Sequence, residues 1–115
     1  MKELGKKGGI MNIKELAENL GLGEDEYLEL IELLIDTGTV DVEKLRSAIE
    51  EGNAEEAANA AHSLKGASGS LGLMEIYGLA QKTEKEARNN SLDGLVESVQ
   101  TLKAQIDSLA EVARR

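Results

Sequence analysis

Several residue types are absent or scarce in this chain of 115 residues, and each absence excludes a class of structure or chemistry. There is no cysteine, which excludes disulfides, thiolate zinc sites and a cysteine nucleophile. Tryptophan, phenylalanine and proline are also absent, and aromatic residues make up only 2% of the chain, so aliphatic residues and alanine must fill the core. Without proline or β-branched runs, and with alanine, leucine and glutamate frequent, the composition favours helix over sheet.

Positive charge is also scarce. The chain has 13 basic and 22 acidic residues, for a formal net charge of -9. Such a surface repels nucleic-acid phosphates and anionic membranes, and no basic cluster with interleaved aromatics compensates. No stretch approaches the roughly 20 apolar residues of a membrane span, and the N-terminus lacks the apolar segment of a signal peptide. We therefore expect a cytoplasmic monomer that binds neither nucleic acid nor membrane.

Apolar residues recur at helical spacing along most of the chain. Residues 1–9 are polar and glycine-rich and are expected to form a disordered lead-in, followed by a single domain over residues 10–115. Helices are predicted over residues 13–20, 25–35, 41–51, 53–71, 74–88 and 95–113. The segment Thr37-Gly38-Thr39 is expected to interrupt the second and third of these, with Asp41 capping the third.

These segments predict an all-α fold. The pair at residues 25–35 and 41–51 would form the first long arm, with a kink between its two parts. With the last three helices, it makes an antiparallel up-down four-helix bundle, and residues 13–20 add a short extra N-terminal helix. The stripe of apolar residues at alternating spacings of four and three in the last helix is typical of such a bundle.

The helix at residues 53–71 carries the single histidine of the chain, His62. On a helical wheel, His62 points about 120° away from the centre of the core face, towards solvent. Gly66 and Gly69 lie beside it, one and two turns along, and Lys65 lies between it and the core edge. Glycine inside a helix costs about 1 kcal/mol relative to alanine, so helix stability does not explain the two glycines.

Close approach of another molecule does explain them, because missing side chains leave the surface around the imidazole bare. Close helix–helix packing is the alternative interpretation of Gly66 and Gly69. Lys65 can neutralise part of the charge that a phosphoryl group would bring to His62, although it could also be an ordinary solvated lysine. Asn59 and Ser70 are expected to belong to the same partner-docking surface.

The next helix offers a hydrogen-bond partner for the imidazole. If the chain reverses near Gly72, position 62 faces about position 83, which Gln81 and Glu84 flank. Either side chain could accept a hydrogen bond from Nδ1–H of His62, which leaves Nε2 free as a nucleophile. Glu84 could equally pair with Arg88 at i, i+4, and Gln81 could be an ordinary surface residue.

The run from Ala61 to Gly72 reads AHSLKGASGSLG. It resembles the signature of histidine-phosphotransfer (HPt) domains of bacterial phosphorelays, which is His-x-x-Lys-Gly followed by small residues, an aliphatic residue and a glycine. The matching residues are His62, Leu64, Lys65, Gly66, Ala67, Ser68, Leu71 and Gly72. The similarity extends from about Asp25 to Val112. One departure is Thr37-Gly38-Thr39, where many members of the family continue a long helix.

The resemblance implies that His62 is phosphorylated at Nε2 by a kinase or by the phospho-aspartate of a receiver domain, and then passes the group on. It also implies a hydrogen-bonding role for Glu84, because members often have Gln or Glu at the matching position. The expected partners are a response-regulator receiver domain, a hybrid histidine kinase, or both. The protein is then a phosphocarrier and not an enzyme, and no cofactor is expected.

Two other functions compete with this one. A phosphohistidine-dependent hydrolase would need a second acid or base and a substrate cleft, and the sequence indicates neither. A helical adaptor that binds receiver or kinase domains without transfer is the closer alternative, although the presence of His62 argues against it. A metal site is not expected, because one histidine among scattered carboxylates lacks ligand spacing.

Overall fold

The computed structural model describes residues 12–114, and all regular secondary structure in this range is helical. The helices are α1 (Ile13–Asn19), α2 (Glu24–Glu51), α3 (Ala54–Ser70), α4 (Met74–Arg88) and α5 (Leu95–Ala113). The predicted all-α fold is confirmed. The lead-in expected at residues 1–9 lies outside the described residues. None of the helices in the described range has the length and apolar character needed to cross a bilayer.

Side-chain caps and left-handed glycines set several of the helix ends. The side chains of Asn12 and Asn53 accept hydrogen bonds from backbone N–H groups in the first turns of α1 and α3, each at 3.1 Å. Gly52 follows α2 with φ of 69°, and Gly72 follows α3 with φ of 75°. Residues with a Cβ avoid this left-handed conformation, so the two glycines allow the chain to reverse there.

The four long helices form an antiparallel bundle in which chain neighbours are also spatial neighbours. Helix α2 packs against α3, α3 against α4, and α4 against α5, while α5 returns to α2 and closes the bundle. The short helix α1 packs on α2. Aliphatic side chains and alanines fill the core, together with the fully buried Tyr27, whose hydroxyl donates to the carbonyl of Leu71. Burial raises the pKa of Tyr27 to about 12.

The interruption predicted at residues 37–39 is wrong, because α2 is one continuous helix of 28 residues. Thr39 Oγ1 donates to the carbonyl of Ile35 at 2.7 Å, so its hydroxyl is bonded within the helix. Gly38 is buried on the core face, where an added Cβ would lie 3.1 Å from Ile106 Cδ1 and 3.4 Å from Leu64 Cδ1. Packing against α3 and α5 therefore outweighs the low helix propensity of this segment.

The predicted capping role of Asp41 is also wrong. Asp41 lies inside α2 and is only 7% exposed. Its Oδ2 accepts a hydrogen bond from Ser63 Oγ of α3 at 2.9 Å. Burial raises the pKa of Asp41, against the lowering effects of the Ser63 hydrogen bond and the nearby Lys44 charge. Asp41 therefore ties α2 to the residue that follows His62 in the chain.

Candidate functional site

Helix α3 presents its small apolar residues to the core and its histidine to the outside. Ala57, Ala61 and Leu64 are fully buried. The hydroxyl of the buried Ser68 donates to the carbonyl of Leu64 at 2.8 Å, so this polar group is satisfied within the helix. The side chain of His62 is 63% exposed, as the helical wheel predicts. The core face thus anchors α3 and leaves the imidazole accessible on the side next to α4.

The carboxylate of Glu84 on α4 gathers three side chains of this region. His62 Nδ1 lies 3.1 Å from Glu84 Oε2, and Lys65 Nζ lies 2.9 Å from Oε1. Arg88 also reaches Oε2, with its Nη2 at 2.9 Å and its Nε at 3.1 Å. From the sequence alone, the contacts of Glu84 with His62 and with Arg88 are alternatives. The structure contains both contacts, so Arg88 is a further site residue that the sequence pattern does not single out.

The ionisation of Glu84 fixes the hydrogen-bonding role of the imidazole. Burial by itself would raise the pKa of Glu84, whose side chain is only 11% exposed, but hydrogen bonds from Lys65, Arg88 and His62 lower the pKa to about 2. At neutral pH this carboxylate can only accept hydrogen bonds. Nδ1 of His62 must therefore carry the proton, and in the neutral ring Nε2 has a free lone pair.

The two glycines beside His62 have different surroundings. A Cβ added at Gly66 would meet nothing within 4 Å, so this position is open. A Cβ added at Gly69 would lie 2.9 Å from Cδ1 of Tyr77 on α4. Gly69 therefore allows α3 and α4 to pack closely, which is the second of the two interpretations of these glycines. The expectation that both glycines leave the surface bare is corrected to Gly66 alone.

The remaining predicted site residues lie around this cluster. Gln81 is exposed on α4, and within the described range it makes no hydrogen bond to His62, so Glu84 alone fills the acceptor position. Ser70 is exposed near the end of α3, where its hydroxyl donates to the carbonyl of Gly66 at 3.0 Å. Asn59 is exposed one turn before His62. The docking roles of Asn59 and Ser70 stay predictions.

Comparison with known protein families identifies the family of this chain. The model of the Hpt domain family matches residues 29–112, which include α3, α4 and the whole cluster around Glu84. The chain belongs to the Hpt domain family. Among curated proteins no sequence matches this Hpt domain significantly.

A solved structure shares the fold. It is histidine-containing phosphotransfer protein B (HptB) from Pseudomonas aeruginosa PAO1, with a TM-score of 0.81 and 21% sequence identity over 94% of this chain and 93% of that chain. At this identity the similarity establishes the fold alone. Membership of the Hpt family gives the general role, which is histidine phosphotransfer in a phosphorelay, as a phosphocarrier that interacts with receiver domains and kinases.

Proposed function

We propose that Nε2 of His62 accepts a phosphoryl group from the phospho-aspartate of a response-regulator receiver domain, or from a hybrid histidine kinase, and returns it to a receiver aspartate. One observation carries this proposal. The single histidine of the chain is exposed, and its Nδ1 is held by a carboxylate that stays ionised at neutral pH. This arrangement turns the free lone pair of the neutral ring away from Glu84 and towards solvent, where a partner can approach.

The transfer step follows from this geometry. The lone pair of Nε2 attacks the phosphorus atom, the bond between phosphorus and the receiver carboxylate oxygen breaks, and the carboxylate leaves with the bonding electrons. The product is an N-phosphorylated ring that keeps its proton on Nδ1 and carries a positive charge. Because Glu84 accepts the Nδ1–H hydrogen bond at 3.1 Å, its negative charge stabilises that cation. In the reverse direction the same atoms regenerate neutral His62.

Lys65 offsets the negative charge of the transferred group. A phosphoryl group adds about -1.5 to -2 charges at neutral pH. Lys65 shares the carboxylate of Glu84 with His62, so its ammonium is held beside the imidazole. A positive charge at this place favours the phosphorylated state over the free one.

The partner supplies the rest of the chemistry in this proposal. A kinase brings the phosphoryl donor, and a receiver brings the aspartate and whatever activates it. The cytoplasmic location expected from the sequence is part of this proposal.

Labelling experiments test the phosphoacceptor. The protein is incubated with a receiver domain phosphorylated on its aspartate, and the labelled product is treated with acid and with alkali. The parent should carry an acid-labile, alkali-stable label typical of a phosphoramidate, and His62→Gln should carry none. Circular dichroism checks that the variant keeps its helix content. Label retained on a folded His62→Gln protein would refute the proposal, and receiver binding without labelling of the parent would favour the adaptor function.

A further inference from the structure

A positively charged groove lies along α4 next to Lys65 of α3, and its lining includes Glu84, which contacts the imidazole. It is open to solvent and has a volume of about 520 Å³. The cationic residues that line it are Lys65, Lys82, Lys85 and Arg88. Among the described residues, Glu84 is the only acidic residue in the lining, and its carboxylate already receives hydrogen bonds from three groups. Positive charge therefore predominates in this groove on a chain whose formal net charge is -9.

Two of these cations have no role in the cluster around Glu84. Lys82 and Lys85 are exposed on the outer face of α4, and neither forms an ion pair with another residue in the range 12–114. Lys103 on α5, by contrast, pairs with Asp107 at 2.9 Å. Lys82 and Lys85 instead extend the charge of Lys65 and Arg88 across α4.

The lining of the groove also includes a glycine within a helix. Gly78 lies inside α4, where glycine costs about 1 kcal/mol relative to alanine. A Cβ added there would meet nothing within 4 Å, so no contact in the described structure requires the glycine. Gly66 on α3 has the same open surroundings. Backbone without a side chain is therefore exposed on α3 directly after Lys65 and on α4 in the lining of the groove.

We infer that this groove is the second part of the docking surface, and that it receives a carboxylate-bearing segment of the receiver domain that exchanges the phosphoryl group with His62. The inference rests on the proposed function and adds where the partner lies and what charge it carries. For transfer the partner must bring phosphorus into bonding distance of Nε2, so it covers the surface next to the imidazole. Complementary charge at the rim of such a contact increases the association rate and selects the partner.

A double charge reversal, Lys82→Glu with Lys85→Glu, tests the groove. Both side chains are exposed, so the fold should survive. The matched control, Lys14→Glu with Lys103→Glu, makes the same change in net charge on the exposed surfaces of α1 and α5. The donor is the phosphorylated receiver domain that labels the parent fastest. We expect the groove variant to take up label at least about tenfold more slowly than the control at low salt, and the difference to shrink as salt screens the charges.

Two parallel measurements separate docking from chemistry. Phosphoramidate, a small donor that needs no docking surface, should label the groove variant, the control and the parent at similar rates. Titration with the unphosphorylated receiver should give a higher Kd for the groove variant than for the control.

The results that would contradict the inference differ from the one that would contradict the proposed function. Equal receiver uptake or equal Kd in the two variants would overturn the groove as a docking site. Slower phosphoramidate labelling of the groove variant alone would show that the lysines act on His62 itself, which also overturns it. A parent that neither donor labels on His62 would instead overturn the proposed function.

Discussion

Three side chains donate to the carboxylate of Glu84, and this convergence explains how a nearly buried acid remains ionised. Removing a carboxylate from water is costly unless hydrogen bonds and opposite charges replace the lost hydration. Lys65 and Arg88 supply the charges, and His62 supplies a further hydrogen bond. The same contacts hold the imidazole ring in one orientation. The electrostatic cost of burying Glu84 is thus offset by the groups that the site itself requires.

Glu84→Gln should lower the free energy of unfolding at neutral pH by about 1–3 kcal/mol, because the pKa of Glu84 in the folded state is about 2, against an ordinary value of 4.5. The folded pKa lies below the unfolded one, so this contribution is fully present above about pH 4.5. It is lost as the pH falls towards 2. Urea denaturation of parent and variant across this pH range measures it.

The control is Glu111→Gln, which removes an exposed carboxylate near the end of α5. It should leave the stability curve close to that of the parent. A constant difference between Glu84→Gln and the parent from neutral to acidic pH would contradict the depressed pKa.

Lys65→Ala should slow phosphoryl uptake and shift the transfer equilibrium by roughly three- to thirty-fold, without abolishing transfer. The Lys65 side chain is 25% exposed, and a partly exposed charge interaction is worth only about 0.5–1 kcal/mol, rising towards 2 with direct hydrogen bonding. Lys65→Arg should keep much of the activity. The rates of phosphoryl uptake from one receiver, measured for the parent and both variants, test this prediction. A Lys65→Ala protein as fast as the parent would reduce Lys65 to a structural partner of Glu84.

At the scale of helices, Gly66 and Gly69 should respond in opposite ways to the same substitution. Gly66→Ala removes an unfavourable helix residue at an open position and should raise the free energy of unfolding by up to about 1 kcal/mol. Gly69→Ala gains the same propensity, but its Cβ would lie 2.9 Å from the Tyr77 ring. The displacement of the ring that this added Cβ would force costs about 1–3 kcal/mol. Urea denaturation compares the two variants, and equal stabilities would show that α4 moves away freely.

The ends of the bundle helices could largely be predicted from local sequence. Asn53 and the glycines at 52 and 72 act through their own backbone or through groups three residues away, so their effect is visible in the sequence alone. The continuity of α2 could not be predicted in this way. Gly38 is held in the helix by Leu64 and Ile106, which lie far along the chain, and propensity contains no information about those contacts.

The candidate site was predictable to the extent that it follows from the α3–α4 connection. A short turn at Gly72 fixes the antiparallel register, and this register places Glu84 opposite His62. The packing role of Gly69 could not be predicted, because a wheel of α3 cannot show that the Tyr77 ring lies against this residue. The pairing of Asp41 with Ser63 was missed for a related reason, since an aspartate after a presumed break is typical of a helix cap.

At the scale of the whole molecule, the charge is unevenly distributed. The groove along α4 is positive, whereas one exposed face of α2 is acidic. Glu29, Asp36 and Glu43 are exposed and recur every seven residues along α2. Beside them on the same helix lie Leu33 and Val40, which are 59% and 52% exposed. An apolar stripe of this kind could pair with a second copy of itself, but the acidic row runs alongside it.

We expect the protein to be a monomer of 12.3 kDa. If two copies met through Leu33 and Val40, their acidic rows would approach each other, and like charges brought together at an interface cost several kcal/mol. The net charge of -9 adds a general repulsion between copies. Light scattering coupled to gel filtration should give the monomer mass at low salt, whereas at about 1 M salt charges are screened beyond about 3 Å and the repulsion is largely removed. A doubled mass that appears only at high salt and disappears in Leu33→Ser would show that repulsion alone keeps the copies apart, and a doubled mass at low salt would contradict the prediction outright.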